Sequence, residues 1–352
     1  GVSAASDGRL AASCSFDKTV RVWDLVTGQE VSAMEGHTDK VFGVAMAGDG
    51  NTVVSCSWDM SVRVWDVETG QAVGKPMQPP SQPGSTGSVA SMASVASVGS
   101  VGSAMSVAMK RLAMTGHEKE VLDVAITSDG GRAVSGSVDG TVRVWDVRSG
   151  EQLAKCQGHS DWVMGVAVTP NGSLAASGGR DGTLRLWTMS GKEVRKIKHT
   201  GEVTCVALAP DGSRAVSGQG KQVLIWDCNT GSNIKGLSKH TGAVRRVAVS
   251  PGGDKVVSGS QDMTVMVWDM RGLSHERTLQ GHQGVVRGVT IGGGRVVSCG
   301  QDKEVRVWEL ASGRCEHVLI GHTDDVRGVS AASDGRLAAS CSFDKTVRVW
   351  DL

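Results

Sequence analysis

Apolar residues in this chain come in short bursts separated by turn residues, and no segment repeats its apolar positions at the helical period. One representative stretch has apolar runs at 121–125, 133–137 and 141–145 and a more variable run near 152–155. Asp129-Gly130 lies between the first two runs and is the local chemistry of a hairpin turn. The pattern predicts four short strands. Pairs such as Ala133-Val134 and Val256-Val257 are apolar on successive residues, so both faces of the predicted sheet must be covered. A sheet of about 40 residues cannot bury both of its faces alone.

The cover comes from repetition. Tryptophans recur at Trp23, Trp65, Trp145, Trp187, Trp226, Trp268, Trp308 and Trp350, with gaps of 42, 80, 42, 39, 42, 40 and 42 residues. Only one Gly-His pair lies inside the long gap, so that gap reads as one repeat with an insertion. A histidine precedes each tryptophan from the second onward, 28 residues earlier in five repeats, 27 in one and 26 in another. The stretch between them is therefore rigid, and the stretch after Trp absorbs the variation. Within the rigid part a Ser lies ten residues before Trp and an Asp six before it.

A 40–45-residue, four-strand repeat that ends in Trp-Asp resembles the WD-repeat family over nearly the whole chain outside the insertion. The resemblance implies an all-β propeller of four-stranded antiparallel blades around a central channel, with only short, protected sheet edges. It also implies that the four recurring polar side chains form a hydrogen-bonded network within each blade. The sets are His37, Ser55, Asp59 and Trp65; His117, Ser135, Asp139 and Trp145; and His159, Ser177, Asp181 and Trp187. The later ones are His240, Ser258, Asp262 and Trp268; His282, Ser298, Asp302 and Trp308; and His322, Ser340, Asp344 and Trp350. A Ser-His-Asp hydrolase needs one triad and an oxyanion hole, not a motif repeated round the chain. Repeat five departs from the pattern. It reads Ser217-Gly218-Gln219-Gly220-Lys221, with no Asp, and is expected to be the least stable blade.

Composition narrows the function. The 352 residues include 37 basic and 36 acidic ones, a balance that argues against nucleic acid or a membrane surface as partner. No apolar run is long enough to span a bilayer. The 48 glycines suit many tight turns. None of the eight cysteines forms a CxxC pair, so neither a zinc site nor a thioredoxin-like site is expected. Cys14, Cys56, Cys299 and Cys341 follow a serine where Gly136, Gly178, Gly218 and Gly259 stand in other repeats, which marks a small-residue packing position. Free buried thiols and a cytoplasmic, reducing setting follow as expectations. No phosphate-binding glycine loop opens a helix, and no cofactor, metal or catalytic residue is expected.

Residues 1–25 are identical to 328–352, at an offset of 327 residues that contains seven His-to-Trp units. Seven is therefore the expected blade number, with the strand near 29–34 completing the last blade beside 346–350. The alternative is eight blades, the last lacking its outer strand, which avoids exposing Val20, Val22 and Trp23. The identity and the mid-repeat ends suggest a window on a longer or circularised array. Residues 76–109 are of low complexity, with Ser at every third position from Ser88 to Ser106, and read as a disordered loop within repeat two.

By resemblance, partners contact the face that carries the Gly-His loops and the second-to-third-strand turns. On that face Trp58, Arg180 and Phe343 directly precede a quartet Asp, and Trp162, Arg245, Arg287 and Arg327 flank the first valine of a first strand. Aromatic residues mixed with arginine are interface chemistry. They suggest a surface for an acidic or phosphorylated peptide or protein. The opposing reading pairs the arginines with Asp324 or Asp325 and packs the aromatics on adjacent loops. The expected role is a non-catalytic interaction scaffold, the propeller part of a larger signalling or assembly protein. The alternatives are a channel-centred propeller enzyme and a fixed-partner subunit resembling G-protein β.

Overall fold

The computed structural model describes residues 1–72, 113–332 and 335–352. The low-complexity segment at 76–109 lies outside the described residues. The described chain forms eight antiparallel sheets, each a meander whose neighbouring strands are consecutive in sequence. Blade one comprises Val2–Ala4, Leu10–Cys14, Val20–Asp24 and Glu30–Met34. Blade two is completed by Ala113–Thr115, which pairs with Ser61–Asp66. Blade three comprises Val121–Ile126, Arg132–Ser137, Thr141–Asp146 and Gln152–Gln157, close to the runs read from the sequence. Blades four to seven span 163–198, 205–237, 244–280 and 286–319. Blade eight has three described strands, Val326–Ala331, Leu337–Ser342 and Val347–Asp351.

Each blade's first strand packs against the first strand of the next, and that of blade eight against blade one, so the sheets close into a ring. The apolar core is not inside any blade. It is divided into eight clusters, each shared by two neighbours. Between blades two and three, for example, Val54, Val62 and Val64 meet Val121, Ala133 and Trp145. The successive apolar residues of each strand thus serve two interfaces, one on each side of the sheet.

The blade number corrects the seven-blade expectation. Residues 1–25 neither duplicate nor displace the last blade; with Glu30–Met34 they form a blade of their own. The reason lies in the faces of the repeated segment. Val20, Val22 and Met34 are fully buried in a cluster with Val41, Val44, Val53 and Trp65 of blade two. On its other side, Ala11 and Leu25 pack against Ala339 of blade eight, and the Ala4 amide donates to Ser330 Oγ at 3.0 Å. Expelling the segment would uncover all of these groups, at roughly 1.5–3 kcal/mol for each fully buried large aliphatic side chain. The strand at Glu30–Met34 accordingly pairs with Val20–Asp24, not with the last blade.

The turn between second and third strands imposes one backbone requirement. Its last residue has positive φ: Gly140 at 76° and Gly182 at 70°, but also Met60 at 67°, Met263 at 66° and Lys303 at 70°. A side chain in this conformation costs roughly 1–2 kcal/mol. At Gly140 a Cβ would in addition lie 3.0 Å from the His159 carbonyl oxygen. Met263→Gly is expected to raise stability by up to about 1 kcal/mol and Gly140→Ala to lower it by about 1–2 kcal/mol, both measured by denaturant unfolding. Equal effects of the same sign would contradict this account of the turn.

Candidate functional site

Two layers build the Gly-His face: a buried relay that holds the loops, and a surface that they present. In blade three Trp145 Nε1 donates to Ser135 Oγ at 2.8 Å, Ser135 Oγ lies 2.8 Å from His117 Nε2, and His117 Nδ1 lies 2.9 Å from Asp139 Oδ2. An indole N–H can only donate, so the serine oxygen accepts from Trp and passes its own proton toward Nε2. The remaining imidazole proton is then on Nδ1 and faces the carboxylate. The same relay occurs with His37, His159, His240, His282 and His322, with His-to-Asp distances of 2.7–2.9 Å.

The relay fastens two loops together. Asp139 also accepts the Glu118 amide at 2.9 Å and the Thr141 amide at 2.8 Å, tying the residue after His to the second-to-third-strand turn. Burial would raise the Asp139 carboxyl, but these donors and His117 hold it well below the usual carboxylate range. Asp262 falls to about 2 against the same burial penalty, with Thr264 and His240 as its main donors. The serine of each relay is fully buried and saturated, so it is not placed to act as a nucleophile.

Blade five lacks the acid. His199 Nε2 still meets Ser217 Oγ at 2.8 Å, and Trp226 donates to the same oxygen at 2.9 Å. His199 Nδ1, however, is buried without a hydrogen-bond partner. Burial without a carboxylate pulls its imidazole down to about 4. In blade one Trp23 donates to Ser13 at 2.9 Å.

On the surface, a row of aromatic rings crosses three blades. Phe343 of blade eight lies 5.6 Å from Phe16 of blade one, Phe16 lies 5.1 Å from Phe42 of blade two, and Phe42 stacks on Trp58 at 4.9 Å and 11°. These are all three phenylalanines of the chain and one of the two tryptophans outside the relay. Lys40 Nζ sits 5.3 Å from the Phe16 ring centre and 4.8 Å from that of Trp58. Phe16 and Phe343 are 45% and 42% exposed, a large apolar area to leave in water. The Trp58 indole N–H has no acceptor among the described residues.

The row borders the mouth of the central channel, a cavity of about 730 Å³ whose lining includes Phe16, Phe42 and Phe343 together with Arg245, Arg246, Arg287 and Arg327. The arginines are not equivalent. Arg287 and Arg327 both reach Asp325 Oδ2, at 3.2 and 3.5 Å, and Arg327 stacks over Phe343 at 4.7 Å. Arg245 and Arg246 are exposed. Arg246 offsets part of the rise that burial imposes on Asp123, across the channel.

Of the seven partner-contact residues read from the sequence, the structure brings Trp58, Phe343, Arg245, Arg287 and Arg327 to this mouth and its rim. Trp162 and Arg180 form a separate pair on blade four, with the guanidinium 5.1 Å from the ring and 3.1 Å from Glu202. Sequence reasoning missed Phe42 and Lys40. Phe42 had a readable signal, since it follows the first valine of its blade as Arg245, Arg287 and Arg327 do. Among the described residues one group of potential metal donors occurs, His282, Asp302 and Glu304, but the first two bond each other and Glu304 holds Arg306 at 2.6 Å. All eight cysteines are free thiols, seven of them buried. No described helix is long and apolar enough to cross a membrane.

The family model described as WD domain, G-beta repeat matches residues 1–24, 28–66, 109–146, 150–188, 191–227, 231–269, 273–309 and 313–351. No curated protein matches the chain. Among solved structures, the crystal structure of the computationally designed Ika8 protein is similar, with a TM-score of 0.79 and 25% identity, over 99% of this chain and 95% of that one.

Two outcomes test the relay. Ser135→Ala strands both the Trp145 N–H and His117 Nε2 and is expected to cost about 1–3 kcal/mol in urea unfolding. A change within error would show that the relay adds nothing to stability. For His199, the unfolded chain takes up the proton near the ordinary imidazole value of 6.5 and the folded chain only near 4. Stability should therefore fall as pH drops through that window, by about 1 kcal/mol at this half-buried site, and His199→Gln should flatten the slope.

Proposed function

Because the chain belongs to the WD domain, G-beta repeat family, whose propellers generally act as protein-interaction scaffolds and are typically not enzymes, we propose that its channel mouth binds an acidic or phosphorylated peptide. The observation that carries this reading is the juxtaposition of a continuous aromatic row, exposed at Phe16 and Phe343 and half-buried at Phe42 and Trp58, with an arc of arginines around one cavity. An anionic group on the peptide would meet Arg245 and Arg246, which are open to solvent. The arginine fork suits a carboxylate or a phosphate. A neighbouring apolar side chain would lie across Phe16, Phe42 and Trp58.

Asp325 supports selectivity within the same reading. It already neutralises Arg287 and Arg327, and its Oδ1 is buried without a hydrogen-bond partner. An incoming phosphate or carboxylate would compete for those two guanidinium groups, so the site holds strong anions in preference to neutral polar groups.

The experiment is a fluorescence-anisotropy titration with peptides that carry phosphoserine or a glutamate run beside an aromatic residue, and with an uncharged counterpart. Binding of an anionic peptide is expected, with the double variant Trp58→Ala, Arg287→Ala weakening it at least tenfold, about 1.4 kcal/mol, at unchanged melting temperature. Equal binding by the double variant, or equal binding of the uncharged peptide, removes the proposal.

A further inference from the structure

Among the described residues, the innermost strands of six blades carry a bulge at one and the same residue, the one that follows the first valine. The strand pairing skips Phe42, Leu122 and Met164 in blades two to four, and Arg245, Arg287 and Arg327 in blades six to eight. A bulge leaves its extra residue out of the ladder and re-aims that side chain. All six residues line the central cavity of about 730 Å³, a size that suits a small organic group. Blade five pairs without such a bulge, and its Thr204 hydroxyl donates to the Gly218 and Val244 carbonyls at 3.2 and 3.1 Å.

The six side chains are sorted by chemistry around the ring. In a closed ring of eight, blades four apart face each other, so the apolar arc of blades two to four lies across the channel from the basic arc of blades six to eight. Phe42 is across from Arg245, Leu122 from Arg287 and Met164 from Arg327. Folding alone does not account for the apolar arc. Phe42, Leu122 and Met164 are half-buried and belong to none of the eight apolar seams. On the facing wall Asp325 pairs with Arg287 and Arg327, one carboxylate against two guanidinium groups, and Arg245 is open to solvent.

We propose that the channel receives, end-on, the C-terminal residue of a partner polypeptide that ends in an apolar residue. This rests on the channel-mouth reading and narrows its ligand. At one depth the pore offers cationic forks on one wall and apolar side chains on the other. A chain end supplies both matching groups from a single carbon, because its carboxylate and its side chain diverge, and only one strand of backbone has to leave the pore. An internal phosphoserine or glutamate supplies the anion alone and sends backbone out in two directions. The terminal carboxylate meets the guanidinium forks of Arg245 and Arg287, and the side chain lies against Leu122 and Met164. The preceding residues leave across Phe16, Phe42 and Trp58, which a free small carboxylate would leave bare.

The test titrates the full 352-residue chain with an N-terminally labelled peptide Ser-Gly-Phe-Ser-Leu, read by fluorescence anisotropy. Saturable binding of the free acid is expected, weakened at least tenfold when the same peptide ends in a carboxamide and when its last residue is Ser instead of Leu. Both comparisons use the unaltered protein and depend on no variant folding. Arg245→Gln should erase the difference between acid and amide, and Leu122→Ser with Met164→Ser the difference between the Leu and Ser ends, each leaving the other difference in place. N-acetylleucine should displace the labelled peptide only at concentrations at least tenfold above those the unlabelled peptide needs. Absence of binding by the free acid, equal binding of acid and amide, equal binding of the Leu and Ser ends, or equal displacement by N-acetylleucine overturns the inference. Binding of the internal phosphoserine peptide in the same assay keeps the channel-mouth reading standing in any of those cases, and its failure to bind removes both.

Discussion

Four short strands that are apolar on both faces cannot form a stable sheet in isolation, and this constraint shapes the whole ring. Every blade presents one face to the blade before it and the other to the blade after it, so the core is a set of eight seams. The seams are not equal. That between blades eight and one rests on Ala11, Leu25 and Ala339, with partly buried neighbours, whereas that between blades one and two holds Val20, Val22, Met34, Val53 and Trp65. Apolar area removed from water scales with the energy gained, so closure is the lighter join.

Where first-to-second-strand partners face each other at the channel end of blades two to eight, at least one member of the pair is a glycine, and in blade four both are, Gly165 and Gly178. Gly43 faces Cys56, Gly288 faces Cys299, and Gly328 faces Cys341; elsewhere Asp123 faces Gly136, Cys205 faces Gly218, and Arg246 faces Gly259. The space is tight: a Cβ on Gly43 would come 2.7 Å from Cys56 Sγ. A glycine on the second strand makes room for the next blade: a Cβ on Gly136 would come 2.6 Å from Val163 Cγ1, and one on Gly259 2.6 Å from Val286 Cγ1.

The buried relay ties this scaffold to the surface. Each quartet Asp accepts from the residue after the Gly-His pair and from the turn between the second and third strands. In blades two and eight those two loops carry Lys40, Trp58, Asp325 and Phe343, so the relay acts on the candidate site by positioning it and not by chemistry. A rigid frame of this kind suits recognition, because a preformed surface loses less entropy on binding. Blade five, with Gln219 in place of the acid, keeps its strands but loses one of the links between its loops.

Much of this was legible in the sequence. The four strands and their turns were readable from periodicity, and the relay members from the family resemblance of the repeat, because each depends on contacts within one repeat, whose register is local and periodic. Trp58, Phe343 and the three arginines were also visible as odd residues at repeated positions. What the chain alone left open was decided between repeats. Whether residues 1–25 join the ring depends on what covers Val20 and Val22 from the next blade. Whether Arg287 and Arg327 stand free depends on Asp325 in a neighbouring loop. Whether Phe343 meets Phe16 depends on the closure that brings residues more than 300 positions apart into one row, and whether Phe16 meets Phe42 depends on the packing of blade one on blade two. Periodicity specifies what each blade contains; only packing around the closed ring specifies how many blades there are and which side chains end as neighbours.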